Sequence, residues 1–195
     1  NLMYSEKLLN NLGQELSGPL LISPTIFADE RGYFYESWNQ NIFDGLINEK
    51  IIFLQDNQSK SSYGVFRGLH YQLFPKPQCK LVRVTTGSIF DVIVDIRKSS
   101  KTYSTWCGVL LNEENKKQLW VPNGFAHGFL TLSEHAIVQY KTTNYWSKNL
   151  ERSLKWNDRK IDINLPKLEL NPSLSEKDSN ALLLEDLEKL GEVFE

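Results

Sequence analysis

The sequence contains few residues that could crosslink it or bind a metal. Its 195 residues include two cysteines, Cys79 and Cys107, and three histidines. The cysteines form neither a metal-ligand spacing nor a disulfide framework, which is typical of a protein from a reducing compartment. We therefore expect a cytoplasmic location.

Long apolar runs and blocks of like charge are also missing. No run approaches the length of a membrane-spanning helix, and residues 1–20 lack the basic start and apolar core of a signal peptide. The 22 basic and 24 acidic side chains leave a net charge of −2. We therefore expect no membrane and no nucleic-acid partner. Asn1 is not methionine, which leaves open that the natural start is missing.

Helical periodicity is scarce, and short strand-like segments with Gly, Pro or Asn turns take its place. A hydrophobic content of 41% suits one domain over residues 1–195. Many short strands without long helices between them predict a β-sandwich or barrel. The predicted strands cover residues 19–27, 33–38, 51–59, 65–72, 80–85, 88–96, 105–111, 118–121, 125–132 and 136–143.

Two helices are predicted. The first begins at Asn39 or Asn41 and has an apolar side that includes Phe43. The second lies near the C-terminus and ends at Gly191. Its leucines are expected to share one face: Leu183, Leu184, Leu187 and Leu190. Residues 1–17 read as a polar lead-in and residues 144–172 as irregular.

The strand at 88–96 has a mixed face on which Asp91 and Asp95 alternate with isoleucines. This pattern predicts a partly polar interior. The alternative is that the aspartates face solvent, which fits Asp95 near the strand end better than Asp91 in its middle.

The stretch from Arg67 to Arg83 combines a histidine with fixed positive charges. His70 can accept a proton near neutral pH, and cations such as Lys80 can stabilise the negative charge left behind, so the pattern indicates carbanion chemistry. Strict alternation would put Arg67 and His70 on opposite faces, but a bulge at Gly68 would bring them together. The alternative is a half-buried histidine beside a solvated basic face.

The turn Pro122–His127 resembles the second motif of the cupin barrels, whose histidine is normally a metal ligand. The place of the first cupin motif reads His70-Tyr71-Gln72, without the second histidine or a suitable glutamate. His135 lies in a polar turn and is expected at the surface. Two imidazoles make a poor metal site, so we expect no metal. The fold expected from this resemblance is mainly β: a cupin-like double-stranded β-helix, or jelly-roll barrel, with a few short helices.

From residue 19 to residue 184 the chain resembles the dTDP-4-dehydrorhamnose 3,5-epimerase family, sugar-nucleotide epimerases that use no cofactor. The segments that carry the resemblance are ADERGYFYESWNQ, FLQDNQSKSS, VFRGLHYQ, KLVRV, FDVIVDIRKSS, ENKKQLWVPNGFAHGF, QYKTTNYW and LSEKD.

The resemblance implies catalytic roles. His70 is the base, Asp178 the carboxylate that orients it, Tyr140 the acid on the other face of the sugar, and Lys80 a contact to the reacting sugar that stabilises the enolate. Each has a plainer alternative. Asp178 could complete a capping box with Ser175, Tyr140 could be packing, and Lys80 could be an exposed edge lysine.

The resemblance also implies the binding residues of a dTDP-4-keto-6-deoxyhexose. His127 contacts the sugar, Arg67 the diphosphate side, and Trp146 stacks on thymine, unless it is simply core. Further substrate-binding positions are Gln55, Asn57, Glu151 and Lys177. Arg31 and Glu36 match residues supplied by a neighbouring subunit, which implies a homodimer.

The function implied is epimerisation at C3 and C5 by proton abstraction next to the 4-ketone. Three alternatives remain open at this point. The chain could be a monofunctional 3- or 5-epimerase, a non-catalytic sugar-nucleotide-binding cupin, or a metal-dependent cupin oxygenase, which the incomplete ligand set disfavours.

Overall fold

The structure, a computed structural model, describes residues 2–195 and consists mainly of antiparallel strands. The strands are β1 (Met3–Leu9), β2 (Glu15–Pro24), β3 (Phe27–Asp29), β4 (Gly32–Phe34), β5 (Gln55–Ser62), β6 (Phe66–Gln72), β7 (Lys80–Thr86), β8 (Ser88–Asp95), β9 (Trp106–Asn112), β10 (Gln118–Val121), β11 (Phe125–Thr131), β12 (His135–Thr142) and β13 (Glu151–Ser153). The helices are α1 (Gln40–Ile47), α2 (Glu176–Ser179) and α3 (Leu184–Lys189).

Two sheets form the body of the molecule. One has the order β1-β2-β10-β7-β12-β5 and the other β13-β6-β11-β8-β9, while β3 and β4 form a separate hairpin. Apolar side chains of both sheets fill the space between them, such as Val82 and Val138 from the first and Ile93 and Phe129 from the second. This architecture confirms the predicted jelly-roll barrel with a few short helices.

The outer faces of the sheets are covered by different parts of the chain. The helix α1 packs Phe43 against the six-stranded sheet, and its start is capped by Asn39, whose side-chain oxygen accepts a hydrogen bond from the backbone N–H of Ile42 at 3.1 Å. The C-terminal segment packs Leu184 and Leu187 against the five-stranded sheet. Each sheet therefore has a covered region on its outer face.

Several predicted boundaries are wrong. The polar lead-in contains β1, an edge strand whose central residues are exposed and therefore hide the pattern of a strand. The strand expected at 51–59 begins later, at Gln55, because the backbone of Ile51 is bound by α1: Gln40 donates to its carbonyl and Asp44 accepts from its N–H. The strand expected at 19–27 is β2, which begins earlier and already ends at Pro24. The strand expected at 33–38 is β4, which has only three residues.

The C-terminal leucines do not share one buried face. Leu184 and Leu187 are buried, whereas Leu183 and Leu190 are 43% and 61% exposed. The helix begins only at Leu184, whose N–H donates to Asp158 at 2.8 Å, so Leu183 lies outside it as the capping residue. Gly191 follows the helix with a φ of +69°, as predicted for its end.

The interior of the barrel is partly polar, as the strand at 88–96 predicted. Asp91 and Asp95 are both fully buried on β8. The alternative that Asp95 faces solvent is wrong, because its carboxylate is bound by Arg97 at 3.0 Å, Ser100 at 2.7 Å and Thr102 at 2.6 Å. Residues 144–172 are mostly irregular, with β13 as the one named strand among them.

Candidate active site

The strand β6 carries one extra residue between Arg67 and His70. Opposite it on β11, Phe129 pairs with Arg67 and His127 with His70, so three steps along β6 face two along β11. Both Arg67 and His70 consequently line the same cavity inside the barrel. Gly68 permits this bulge, because its φ is +116° and a Cβ there would lie 2.7 Å from backbone atoms of β11. The predicted bulge is confirmed.

His70 and Asp178 form a hydrogen-bonded pair at the cavity wall. Nε2 of His70 lies 2.6 Å from Oδ1 of Asp178, and Oδ2 of Asp178 accepts the N–H of Gly68 at 3.0 Å. Burial alone would raise the pKa of Asp178, but the hydrogen bond and the electrostatic interaction with His70, together with the Gly68 amide, outweigh burial and hold that pKa below its usual value. A carboxylate that stays charged orients the ring and stabilises a proton taken up by it.

Asp178 reaches β6 from α2, a single helical turn near the C-terminus. The hydroxyl of Ser175 caps this turn by accepting the N–H of Asp178 at 3.2 Å. The capping alternative is therefore correct for Ser175, while the carboxylate oxygens of Asp178 bind His70 and Gly68. The backbone of Asp178 thus belongs to the helix cap, and its side chain belongs to the cavity wall.

Lys80 is buried at the start of β7, an internal strand of its sheet, so the edge-lysine alternative is wrong. Its Nζ lies 5.6 Å from the centre of the Tyr140 ring. Burial lowers the pKa of Lys80 to about 8, although Glu151 and Asp91 raise it in part. A desolvated ammonium group of this kind can stabilise negative charge on a nearby oxygen.

Tyr140 lies on β12 and lines the cavity from the six-stranded sheet. Burial raises its pKa above the ordinary value, while a hydrogen bond with Asn57 lowers it in part. The phenol therefore keeps its proton at neutral pH and can donate it.

The rim of the cavity is a hydrogen-bonded group around Glu151. Trp146 Nε1 donates to Glu151 at 2.8 Å, and Lys177 Nζ lies 3.0 Å from the other carboxylate oxygen. The N–H of Trp146 also donates to Gln55 at 3.1 Å. Since Trp146 is 53% exposed, the alternative that it is core is wrong. An exposed ring whose Nε1 is bound by Glu151, on a residue whose backbone N–H is bound by Gln55, is suited to stacking on a planar ligand.

A second histidine–carboxylate pair lies beside the first. His127 Nε2 is 2.7 Å from Oδ1 of Asp91, and both side chains are buried. The family resemblance implied that His127 contacts the sugar, but nothing in the sequence analysis indicated Asp91 as a site residue. The sequence signal that could have indicated Asp91 was its position in the middle of a strand, on the face that carries isoleucines.

Arg31 and Glu36 are not part of this cavity. Arg31 is in the β3–β4 turn, 84% exposed, and paired with Asp29. Glu36 accepts a hydrogen bond from Asn39 at 2.9 Å. His135 is exposed, as predicted.

The cavity has a volume of about 560 Å³, and its walls come from both sheets and from α2. A smaller hollow of about 270 Å³ lies beside Trp38 and is lined by Arg83, Gln118 and Gln139, without a histidine in its walls. Among residues 2–195, no group of three or more His, Cys, Asp or Glu could hold a metal ion. Over the same residues, no helix is both long and apolar enough to cross a membrane.

The jelly-roll barrel, with a histidine–aspartate pair, a buried lysine and a tyrosine around one cavity, defines an acid–base enzyme of the cupin-like class. Residues 13–186 match the family model described as dTDP-4-dehydrorhamnose 3,5-epimerase. The chain therefore belongs to the dTDP-4-dehydrorhamnose 3,5-epimerase family.

Individual relatives agree with this assignment. An epimerase of the same name from Shigella flexneri is 52% identical over 172 residues, which cover 88% of this chain and 94% of the relative. The crystal structure of a dTDP-6-deoxy-D-glucose-3,5-epimerase from Legionella pneumophila, in complex with dTDP-4-keto-L-rhamnose, has a TM-score of 0.89 and 41% identity over 98% of both chains. A 3′-monoepimerase from Streptomyces bikiniensis, in complex with dTDP-quinovose, has a TM-score of 0.86 and 29% identity, covering 91% of this chain and 90% of that chain.

Proposed function

We propose that this chain inverts C3 and C5 of dTDP-4-dehydro-6-deoxy-D-glucose to give dTDP-4-dehydro-L-rhamnose, a step of dTDP-rhamnose biosynthesis. The observation that carries the proposal is one cavity lined by the His70–Asp178 pair, Lys80 and Tyr140. The family assignment and the relatives named for this activity support it.

The reaction needs a base, a charge stabiliser and an acid. C3 and C5 both flank the 4-ketone, so His70 can take a proton from either carbon while the electron pair moves to the C4 oxygen as an enolate. Lys80 stabilises that oxygen, while His127 contacts the sugar. Tyr140 returns a proton to the carbon from the opposite face, which inverts the centre.

The rest of the cavity is suited to a nucleotide diphosphate. Arg67 supplies positive charge for the diphosphate, and its Nε is oriented by the hydroxyl of Ser61 at 2.8 Å. Trp146 stacks on thymine at the rim. The remaining substrate contacts in this proposal are Glu151 and Lys177 in the cavity wall and Gln55 and Asn57 outside it, where Gln55 binds Trp146 and Asn57 lines the smaller hollow.

A homodimer is part of the proposal. The β3–β4 hairpin has exposed aromatic side chains, with Phe27 at 52%, Tyr33 at 62% and Phe34 at 68%. Large exposed apolar groups of this kind mark interaction sites. The same hairpin carries Arg31, so docking on a second copy would bring this cation, and the following Glu36, to the partner's cavity.

The proposal also treats the chain as one domain in the cytoplasm. Contacts between distant segments support one domain, since Asp178 reaches β6 and the isolated bridge Leu154↔Leu182 joins the C-terminal region to residues that follow β13. Two unpaired cysteines, Cys79 and Cys107, agree with a reducing compartment.

The test follows the sugar protons in deuterated water. We expect wild-type protein to exchange the C3 and C5 protons of dTDP-4-dehydro-6-deoxy-D-glucose and to form the L-rhamnose product. His70→Asn should lower exchange at both carbons by about 10²–10⁴-fold, because it removes the general base. NMR spectra of the reaction measure exchange and product together.

His135→Asn is the matched control, because this histidine is exposed and remote from the cavity, and we expect wild-type rates from it. Near-wild-type exchange by His70→Asn would contradict the assignment of the base. Inversion at one carbon only would contradict the double epimerisation and identify a monofunctional epimerase.

A further inference from the structure

Asp91 is a fully buried carboxylate with unusually few hydrogen bonds. Its Oδ1 is bound by His127 at 2.7 Å, while its Oδ2 receives no hydrogen bond from any residue between 2 and 195. Asp95, four residues along the same strand, is also fully buried but is bound by Arg97, Ser100 and Thr102. A buried charge that is incompletely paired costs free energy of folding, so the stability of the fold does not account for Asp91.

The pair formed by Asp91 and His127 repeats the geometry of the base. His127 lies opposite His70 in the register of β11 and β6, and each ring meets its carboxylate through Nε2. Both histidines line the cavity, and Nε2 of each ring is occupied by a carboxylate. Nδ1 is therefore the ring nitrogen available to a ligand in both. The carboxylate fixes which nitrogen is presented to a ligand.

The negative charge of Asp91 also raises the pKa of Lys80 in part. The charged groups that influence Lys80 come from three elements: Asp91 on β8, Glu151 on β13 and Lys177 on α2. Glu151 is already engaged by Trp146 and Lys177 at the rim. Asp91 is thus a counter-charge for Lys80 from inside the barrel, beside the ring of His127 on β11.

We propose that Asp91 is a positioning residue of the epimerase reaction, which holds Nδ1 of His127 toward the sugar. This inference rests on the function proposed above. Asp91 itself does not touch the substrate and acts through His127, while its charge also favours the cationic form of Lys80.

The first test is the pH dependence of turnover in Asp91→Asn, which keeps the side-chain shape and removes the charge. Turnover should fall about 10- to 100-fold, less than for loss of a donor that touches the enolate oxygen. With one of its two anions gone, Lys80 has a pKa further below about 8 and loses its proton at lower pH. The alkaline fall of kcat should therefore move to lower pH.

Asp95→Asn is the matched control, since it neutralises another buried carboxylate of β8 whose partners are structural. We expect it to lower the melting temperature and to leave the alkaline fall of kcat in place. Wild-type turnover with an unmoved alkaline fall in Asp91→Asn, or equal changes of turnover in both variants, would overturn the inference.

The second test needs no substrate and so separates this inference from the proposed function. In ¹⁵N-labelled wild-type protein, the neutral His127 ring should carry its proton on Nε2, and a ring protonated on Nδ1 alone would overturn the inference even if the variants do not fold. In Asp91→Asn the amide can donate to Nε2, and the proton should move to Nδ1. A His127→Gln sample assigns the signals. Failure of wild-type protein to exchange the sugar protons would instead contradict the proposed function.

Discussion

At the scale of single residues, the acid can be distinguished from the base. Burial keeps the pKa of Tyr140 high, so its proton is available for transfer. Tyr140→Phe keeps the ring but removes this proton, while His70 can still form the enolate. We expect the variant to exchange substrate protons with solvent faster than it forms inverted product, because protons return on the face from which they left.

Both rates can be measured by NMR on one sample in deuterated water. The wild-type ratio of exchange to inversion is the reference. If Tyr140→Phe keeps that ratio, then Tyr140 is a packing residue and another group delivers the proton.

The sequence predicted the site residues to unequal degrees. His70 and its bulge at Gly68 could be inferred from residue chemistry and strand alternation. Asp178 could not, because Ser175 and Asp178 also fit an ordinary helix cap and nothing local indicates a histidine 108 positions earlier in the chain. Its role came from the family resemblance, and the partnership of Asp91 with His127 needed the structure.

At the scale of elements, the bulge in β6 aligns Arg67 and His70. Gly68→Ala would place a Cβ 2.7 Å from Gly128 Cα and from the carbonyl oxygen of His127. Neither backbone atom can move without separating β6 from β11. We expect a lower melting temperature and, in protein that still folds, strongly reduced proton exchange because His70 is displaced.

Gly45→Ala is the control for this substitution. Gly45 lies in α1, and a Cβ there would meet no atom within 4 Å. Alanine in a helix interior is more stable than glycine by roughly 0.5–1 kcal/mol, so this variant should unfold at the same or a higher temperature and keep full activity. Equal melting temperatures for the two variants would contradict the steric argument.

Elements were predictable where hydrophobic periodicity was strong. The strands from β6 to β12 and the helix α1 follow their apolar patterns closely. The strand β1 and the start of β5 were missed for opposite reasons: β1 is an edge strand with exposed polar residues, and the apolar run at Ile51 is held by side chains of α1 instead of entering the sheet. Tertiary contacts decided both cases.

At the scale of the whole molecule, the proposed dimer predicts complementation between inactive chains. His70→Asn lacks the base, and Arg31→Ala lacks the cation supplied to a neighbour. In a mixed dimer, the Arg31→Ala chain keeps its own His70 and receives Arg31 from its partner, so one complete site forms. Co-refolding equal amounts should give about one quarter of the wild-type rate, since about half the dimers are mixed and each has one working site.

The activity of each variant alone is the baseline for this experiment. Analytical ultracentrifugation of the mixture measures whether dimers form. Dimers without regained activity would mean that Arg31 serves the cavity of its own chain, and monomers would contradict the proposed assembly.

The distance along the chain between His70 and Asp178 has a consequence for protein synthesis. A ribosome has added β6 and most of the barrel long before it reaches α2, so a nascent chain can hold its base while still lacking the carboxylate that orients it. In the proposed mechanism, catalytic competence therefore waits until synthesis has advanced 108 positions beyond His70, and a chain that stops before Asp178 would contain His70 without the carboxylate that orients it.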